Sequence, residues 1–249
     1  MCIRDRVIGD ACIDEFVYGK CTRLCPDAPV PVFIPLKTIR NGGMSKNVQA
    51  NIKSLGFECD IMCQDKLVHK TRYLDNYTNH VFIRVDTGEN GIEKLDSSIL
   101  TKDFLSKYEV IIISDYNKGF ITQEEIFKLV EWFDGPVIID SKKKVLPEGA
   151  FIKINELESK TLERSLTDVI VTKGGEGAEY NNKFFPAEKV KVRDVVGAGD
   201  TFLAALTYGY MNHNDMEKAI HIANKAAAVA VSHPGTYVLT EEDVNEILH

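Results

Sequence analysis

The chain has 249 residues, and Lys+Arg 30 against Asp+Glu 37 leaves a net charge of −7. That length fits one or two domains, and the acidic balance argues against nucleic-acid binding, which needs a basic footprint. With 44% hydrophobic and 27% charged residues the chain is globular rather than disordered; no apolar run approaches the roughly 18 residues of a membrane span, and Met1–Arg6 lacks the apolar stretch of a signal peptide, so a cytoplasmic location is expected.

A buried first strand should be apolar up to Gly9, yet Arg4, Asp5 and Arg6 precede Val7-Ile8. Residues 1–6 are either native or a product of cloning or assembly, and they are left out of the fold expectation. Glu15 to Ile39 carries prolines at 26, 29, 31 and 35 among alternating apolar residues. Ser45 to Leu55 predicts a helix, with Val48, Ile52 and Leu55 on one face and Gly56 as its stop. Phe57 to Cys63 predicts a strand. Thr71 to Asp86 holds two short alternating runs around Thr78-Asn79. Together with the 15–39 segment it predicts antiparallel strands outside the main sheet, a lid.

Further along, Val110–Ile113 is a buried strand ending at Ser114-Asp115. Thr122 and Glu125 form a capping box ahead of Ile126, Leu129, Val130 and Phe133. Val137–Asp140 and Val169–Thr172 are further buried strands. Asp200–Met211, Asp215–Val231 and Glu241–Leu248 predict helices. Strands alternating with helices predict an α/β fold, a three-layer α/β/α sandwich with a mainly parallel central sheet and a small antiparallel β lid. No repeat or linker divides residues 1–249, so one domain is expected. The six cysteines stand at 2, 12, 21, 25, 59 and 63. Cys59 and Cys63 on one strand would lie about 13 Å apart, too far to share a metal, so the expectation is reduced thiols and no zinc.

The strongest chemical signal is Asp194-Val195-Val196-Gly197-Ala198-Gly199-Asp200-Thr201-Phe202. Gly197, Ala198 and Gly199 let the backbone approach a ligand, and their N–H groups at a helix start form an anion site. Asp200 alone would read as a helix cap. Beside an anion hole it reads as a base that accepts a hydroxyl proton during phosphoryl transfer. Asn41-Gly42-Gly43-Met44-Ser45-Lys46-Asn47 is a Gly-Gly turn running into a helix, with a simple turn as the alternative.

These two segments resemble the signatures of the ribokinase-like (PfkB) sugar kinases. Nearly the whole chain resembles that family, and within it the heptose-7-phosphate kinases of lipopolysaccharide precursor synthesis. The subgroup is carried by Gly9-Asp10 with Asp14, by Arg23 through Val32, and by Lys70-Thr71-Arg72 and Arg84-Val85-Asp86. Ser114 through Gly119 and Ala223 through Ala227 complete it. The resemblance implies a ribokinase-like fold and an ATP-dependent sugar kinase with Asp200 as base and Gly197, Ala198, Gly199 and Asp200 as anion hole. It implies Asp10, Asp14, Gly42, Gly43 and Asn47 on the sugar, whose hydroxyls carboxylates and an amide suit. Asn155 and Glu158 match the family's Asn-x-x-Glu element, with Glu158 serving Mg²⁺ through water; the alternative is an exposed helix start. Thr172, Lys173, Gly174 and Gly177 match the nucleotide loop. Asn224 matches the adenine-side Asn, against a solvated helix Asn. Asp194 matches a monovalent-cation (K⁺) residue. Arg72, Arg84 and Lys118 are candidates for a phosphate already on the sugar, each also readable as a surface cation. A lid-to-lid homodimer is implied as well.

One departure stands out. The family has a further helix and strand between the Phe57–Cys63 strand and the lid strand near Lys70, whereas here only Gln64–His69 intervenes. About one βα unit is missing, which predicts a shortened sheet edge, exposed apolar surface or an altered sugar pocket. The chain ends after the kinase region, so no adenylyltransferase activity is expected. Two competing readings are a noncatalytic sugar or nucleotide sensor and a dinucleotide oxidoreductase. The second needs a Gly-rich turn after the first strand, and Gly9-Asp10-Ala11-Cys12 is not one.

Overall fold

The computed structural model describes residues 4–248. In chain order the elements begin with β1 (Arg4–Gly9), β2 (Ala11–Leu24), β3 (Pro31–Met44), α1 (Ser45–Ser54), β4 (Glu58–Met62), β5 (Val68–Asp75) and β6 (Val81–Thr87). They continue with α2 (Lys102–Leu105), β7 (Val110–Asp115), α3 (Gln123–Trp132), β8 (Val137–Ser141), β9 (Phe151–Asn155), α4 (Glu156–Ser159) and β10 (Val169–Thr172). The last are β11 (Gly177–Tyr180), β12 (Lys183–Pro186), α5 (Ala198–His213), α6 (Met216–Val231) and α7 (Glu241–Leu248).

The main sheet is ordered β12-β11-β10-β9-β8-β7-β1-β4. Pairing is parallel from β4 through β10, and β11 and β12 close it antiparallel. Its strands are apolar on both faces, as a parallel sheet between helical layers requires. Val7, Ile112, Ile138 and Ile170 pack with α1, α5, α6 and α7. Ile8, Ile113, Ile139 and Ile152 pack with α2 and α3. The capping box at Thr122 and Glu125 forms as expected. The β9 strand and the β11–β12 hairpin were not expected; the hairpin turns on Asn181 and Asn182, both at positive φ.

The second sheet runs β3-β2-β5-β6. Its outer pairs are antiparallel, but β2 and β5 pair parallel. The chain leaves the β2–β3 hairpin, passes through α1 and β4 in the main body, and re-enters beside β2 running the same way. The lid is therefore mixed.

Residues 4–6 belong to the sheet, which corrects their exclusion from the fold; residues 1–3 lie outside the described residues. Asp5 pairs in register with Cys59 and Val110. Arg6 turns outward, donating to Ile61 O at 3.1 Å and to the Tyr108 hydroxyl. Gln49 donates to Cys59 O at 2.9 Å. At the edge left by the missing βα unit, these two side chains satisfy carbonyls of β4 and blunt it. The expected exposed apolar surface is not found on β4: Cys59 is buried and Ile61 and Met62 are half-buried. Asp5 itself is fully buried, and neither carboxylate oxygen finds a hydrogen-bond partner among the described residues. The apolar pattern expected before Gly9 was physically right: the backbone accepts the strand, and the side chain is the misfit.

Candidate active site

The carboxyl ends of the parallel strands deliver side chains to one place, as is usual in open α/β sheets. Asp115 ends β7, Asp140 lies near the end of β8, Asn155 ends β9 and Thr172 ends β10, and all four line a cavity of about 550 Å³. Gly174, Gly177, Glu158 and Asn224 line it too, and Ala198 and Gly199 close its inner end. Its outer part is an apolar slot between Ala187, Val190, Val192 and Val231.

The α5 helix begins two residues earlier than expected, at Ala198, so Asp200 lies in its first turn. Gly197 precedes it at φ 79, and a Cβ there would stand 2.8 Å from Asn47 Nδ2. Only glycine makes this turn without displacing the side chain that holds α1 to α5. No side chain among the described residues caps the helix. The first N–H groups of this 16-residue helix therefore face the cavity without an intrahelical acceptor.

Asp200 is buried. Burial pushes its carboxyl up to about 7; the Tyr116 hydroxyl bond draws it down and the nearby Asp140 pushes it up. Tyr116 donates to Oδ1 at 2.7 Å and Asn47 Nδ2 faces Oδ2 at 3.3 Å. Lys153 on β9 lies under the anion turn, its Nζ 3.1 Å from where a Cβ on Gly199 would stand. Its Nζ donates to Asp140 Oδ2 at 2.6 Å. Burial alone would lower the lysine's pKa, but the charge of Asp140 and this hydrogen bond hold it above its ordinary value.

The other expected residues divide. Asn155 and Glu158 face the cavity and also form a capping box: Asn155 Oδ1 accepts from Leu157 N and Glu158 N, and Asn155 N donates to Glu158 Oε2. The helix-start reading and the nucleotide reading thus describe the same two residues. Asn224 is buried and donates to Phe185 O at 3.0 Å, holding β12 against α6. Lys173 turns away from the cavity and pairs with Glu179 at 2.6 Å. Asp194 accepts from Val196 N and Gly235 N, tying the anion turn to the 232–236 loop.

On the lid side, Asp10 accepts backbone N–H bonds from Tyr116, Lys118 and Phe120, so its carboxylate shapes that loop. Asp14 takes Arg72 Nη1 at 2.6 Å and Thr236 Oγ1 at 3.0 Å. Gly43 passes so close that a Cβ would lie 2.1 Å from Asp14 Oδ2. Gly42 lies one residue earlier, opposite Ile13, and is exposed. Arg72 stands opposite Arg84 in the β5–β6 register. Arg72 is buried against Asp14, whereas Arg84 is exposed and pairs with Asp86. Lys118 pairs with Glu89 at 2.5 Å. Sequence reasoning gave no role to Tyr116, Asp140, Lys142 or Lys153. The carboxyl-end rule would have found Asp140; nothing local marks the others.

Residues 153–243 match the model of the pfkB family carbohydrate kinases. The bifunctional protein HldE of a Nitratiruptor species is 29% identical, over 96% of this chain and 64% of its own length. HldE of Campylobacter jejuni is 28% identical, over 96% and 63%. The likeness to the pfkB family of carbohydrate kinases thus rests on residues 153–243 and on these relatives. The chain spans less than two thirds of the length of these relatives. The first alignment runs over 294 residues against a chain of 249, so the relative carries segments this one lacks. Among solved structures, the ribokinase of Thermotoga maritima superposes with a TM-score of 0.74 at 18% identity, over 99% of both chains. Phosphofructokinase-2 of Escherichia coli, in complex with potassium, gives 0.73 at 15%, over 99% of this chain and 98% of its own. Both likenesses are of fold, a ribokinase-like α/β sandwich with its lid. No helix among the described residues is long and apolar enough to cross a membrane.

Proposed function

We propose that this chain transfers the γ-phosphoryl of ATP to a hydroxyl of a sugar phosphate, with heptose 7-phosphate, phosphorylated at its anomeric hydroxyl, as the leading acceptor. The observation that carries the reading is the uncapped start of α5. It combines free N–H donors with a buried carboxylate at the joint between the cavity and the lid. In this reading the apolar slot takes the base of ATP and the ends of β8–β10 take its phosphates. The acceptor lies under the lid beside Asp14, Gly42, Gly43 and Asn47. Asp200 removes the hydroxyl proton, the oxygen attacks the γ-phosphorus in line, and the bond to the bridging oxygen of ADP breaks. The α5 N–H groups and Lys153 stabilise the charge on the transferring group.

Mg²⁺ suits the donors present. Asp140 and Glu158 put hard oxygens on the cavity wall, and Mg²⁺ takes one or two carboxylates with waters and phosphates. When bound it would neutralise phosphate charge. A monovalent cation such as K⁺ beside Asp194 belongs to the same reading and rests on the resemblance.

The phosphorylated acceptor is favoured by the lid's cations. Lys70 on β5 and the exposed Arg84 on β6 are the lid's candidates, with Arg72 committed to Asp14, and an arginine fork suits phosphate. The heptose choice rests on the Arg23–Val32 and Ser114–Gly119 segments and on the HldE relatives. ADP release measured against a panel of sugars and sugar phosphates is expected to show kcat/KM at least about tenfold higher for phosphorylated acceptors, the worth of one charge-assisted contact. Turnover on a free sugar alone would reassign the substrate. Nucleotide binding without turnover on any acceptor would favour the sensor reading.

The lid also supports a homodimer. Leu36 and Ile39 on β3 and Val81, Ile83 and Val85 on β6 are exposed apolar side chains on the two edge strands. Sedimentation velocity at micromolar concentration is expected to give a dimer, and Ile83→Glu a monomer. A monomeric wild type overturns this part of the proposal.

A further inference from the structure

The transfer described above leaves Tyr116 without a task, yet its hydroxyl donates to Asp200 Oδ1 at 2.7 Å. An acceptor hydroxyl must stand at such a position for its proton to be taken. The other oxygen already faces Asn47 Nδ2 at 3.3 Å, and Asp200 is only 3% exposed. The base is thus occupied by protein groups on both oxygens.

We propose that Tyr116 is a positioning residue that holds Asp200 Oδ1 against water and yields it to the acceptor hydroxyl when the sugar binds. The proposal rests on the kinase reading above. The main chain of Tyr116 is anchored, its N–H donating to Asp10 Oδ2 at 2.9 Å, so only the side chain needs to turn. Lys142 Nζ stands 4.6 Å and Lys70 Nζ 5.4 Å from its ring centroid. Lys142 lines the nucleotide cavity and Lys70 belongs to lid strand β5. Each half-site therefore has a lysine on the ring, and a phosphate drawing either lysine away loosens the tyrosine.

The contact suppresses a side reaction. With an open base, water attacks the γ-phosphorus of ATP, the bond to the bridging oxygen of ADP breaks, the water proton passes to Asp200, and ADP and phosphate leave. The Tyr116 hydroxyl competes with water for the same lone pair. Burial and the charge of Asp200 hold its own proton on well above the ordinary phenol range, so it blocks the base without becoming an acceptor itself.

The test compares wild type, Tyr116→Phe, Asp200→Asn and the double variant by ADP release from Mg·ATP, with and without a sugar-phosphate acceptor. Acceptor-free hydrolysis is expected to rise about tenfold in Tyr116→Phe, the worth of one hydrogen bond to a charged group, and to collapse in the double variant. The acidic limb of kcat/KM for the acceptor, which reports the free enzyme, is expected to move to higher pH in Tyr116→Phe, because the lost bond favoured the carboxylate. The other groups acting on Asp200, namely Asn47, Lys153, Asp140 and Cys12, are unchanged in that variant. Tyr116→Met, which also lacks the hydroxyl, serves if Tyr116→Phe does not fold. The proposal is overturned if wild type transfers to an acceptor while the folded, ATP-binding variant hydrolyses no faster. If wild type transfers to no acceptor and Asp200→Asn changes nothing, the kinase reading falls and takes this proposal with it.

Discussion

Asp200→Asn is expected to lower kcat for phosphoryl transfer about 10³-fold, within the range a positioned general base supplies, and to leave ATP binding nearly unchanged. The amide keeps the size of the side chain and can still accept from Tyr116, so the anion turn and the Asn47 contact have no reason to move. What is lost is the basic oxygen. The pH profile gives a second readout. Burial raises the carboxyl to about 7, and only the ionised form takes a proton. Transfer by the wild type should therefore fall tenfold per pH unit below about 7 and be flat above it. The residual rate of Asp200→Asn should lack that limb. A coupled ADP assay between about pH 5.5 and 8.5 measures both. Equal rates in the two proteins would remove Asp200 from the chemistry and leave it as a helix-start residue.

The largest stability effect is expected at the other end of the sheet. Asp5 is fully buried without a hydrogen-bond partner among the described residues, and burial, with the charge of Glu109 adding to it, pushes its carboxyl up to about 7 from 3.8. Between those values the folded state holds a proton that the unfolded chain has released. Stability is therefore full below about pH 4, falls as pH rises and levels off above about 7, by on the order of 4 kcal/mol. Asp200 imposes a fall of the same sign. Asp5→Val removes the penalty and suits a strand whose face Asp5 shares with Val7. It is expected to raise Tm at about pH 7.5 by about 10 °C and to take out its share of the pH slope, leaving that of Asp200. Calorimetric melts at about pH 5 and 7.5 decide it. An unchanged Tm at the higher pH would mean that water reaches this carboxylate.

The layered α/β body, the capping box on α3 and the glycine turn ahead of α5 could be read from the chain, although α5 itself starts two residues before the expected Asp200. In each, the signal and its cause lie within one turn or strand: continuous apolar runs must be buried on both faces, a threonine three residues before a glutamate closes on itself, and glycine alone makes the Gly197 turn. The catalytic proposal was legible for the same reason, since the anion turn and the carboxylate are contiguous in the chain. Tertiary structure alone decided which charges are free. Asp10 looks available until three amides of the 116–120 loop occupy it, Lys173 until Glu179 takes it, and Arg72 until Asp14 does. It also decided the parallel pairing of β2 with β5, and it brought Tyr116, Lys153 and Asp140 around Asp200. These contacts join residues tens of positions apart, and the energy of burying a charge depends on the partner that arrives from elsewhere in the chain.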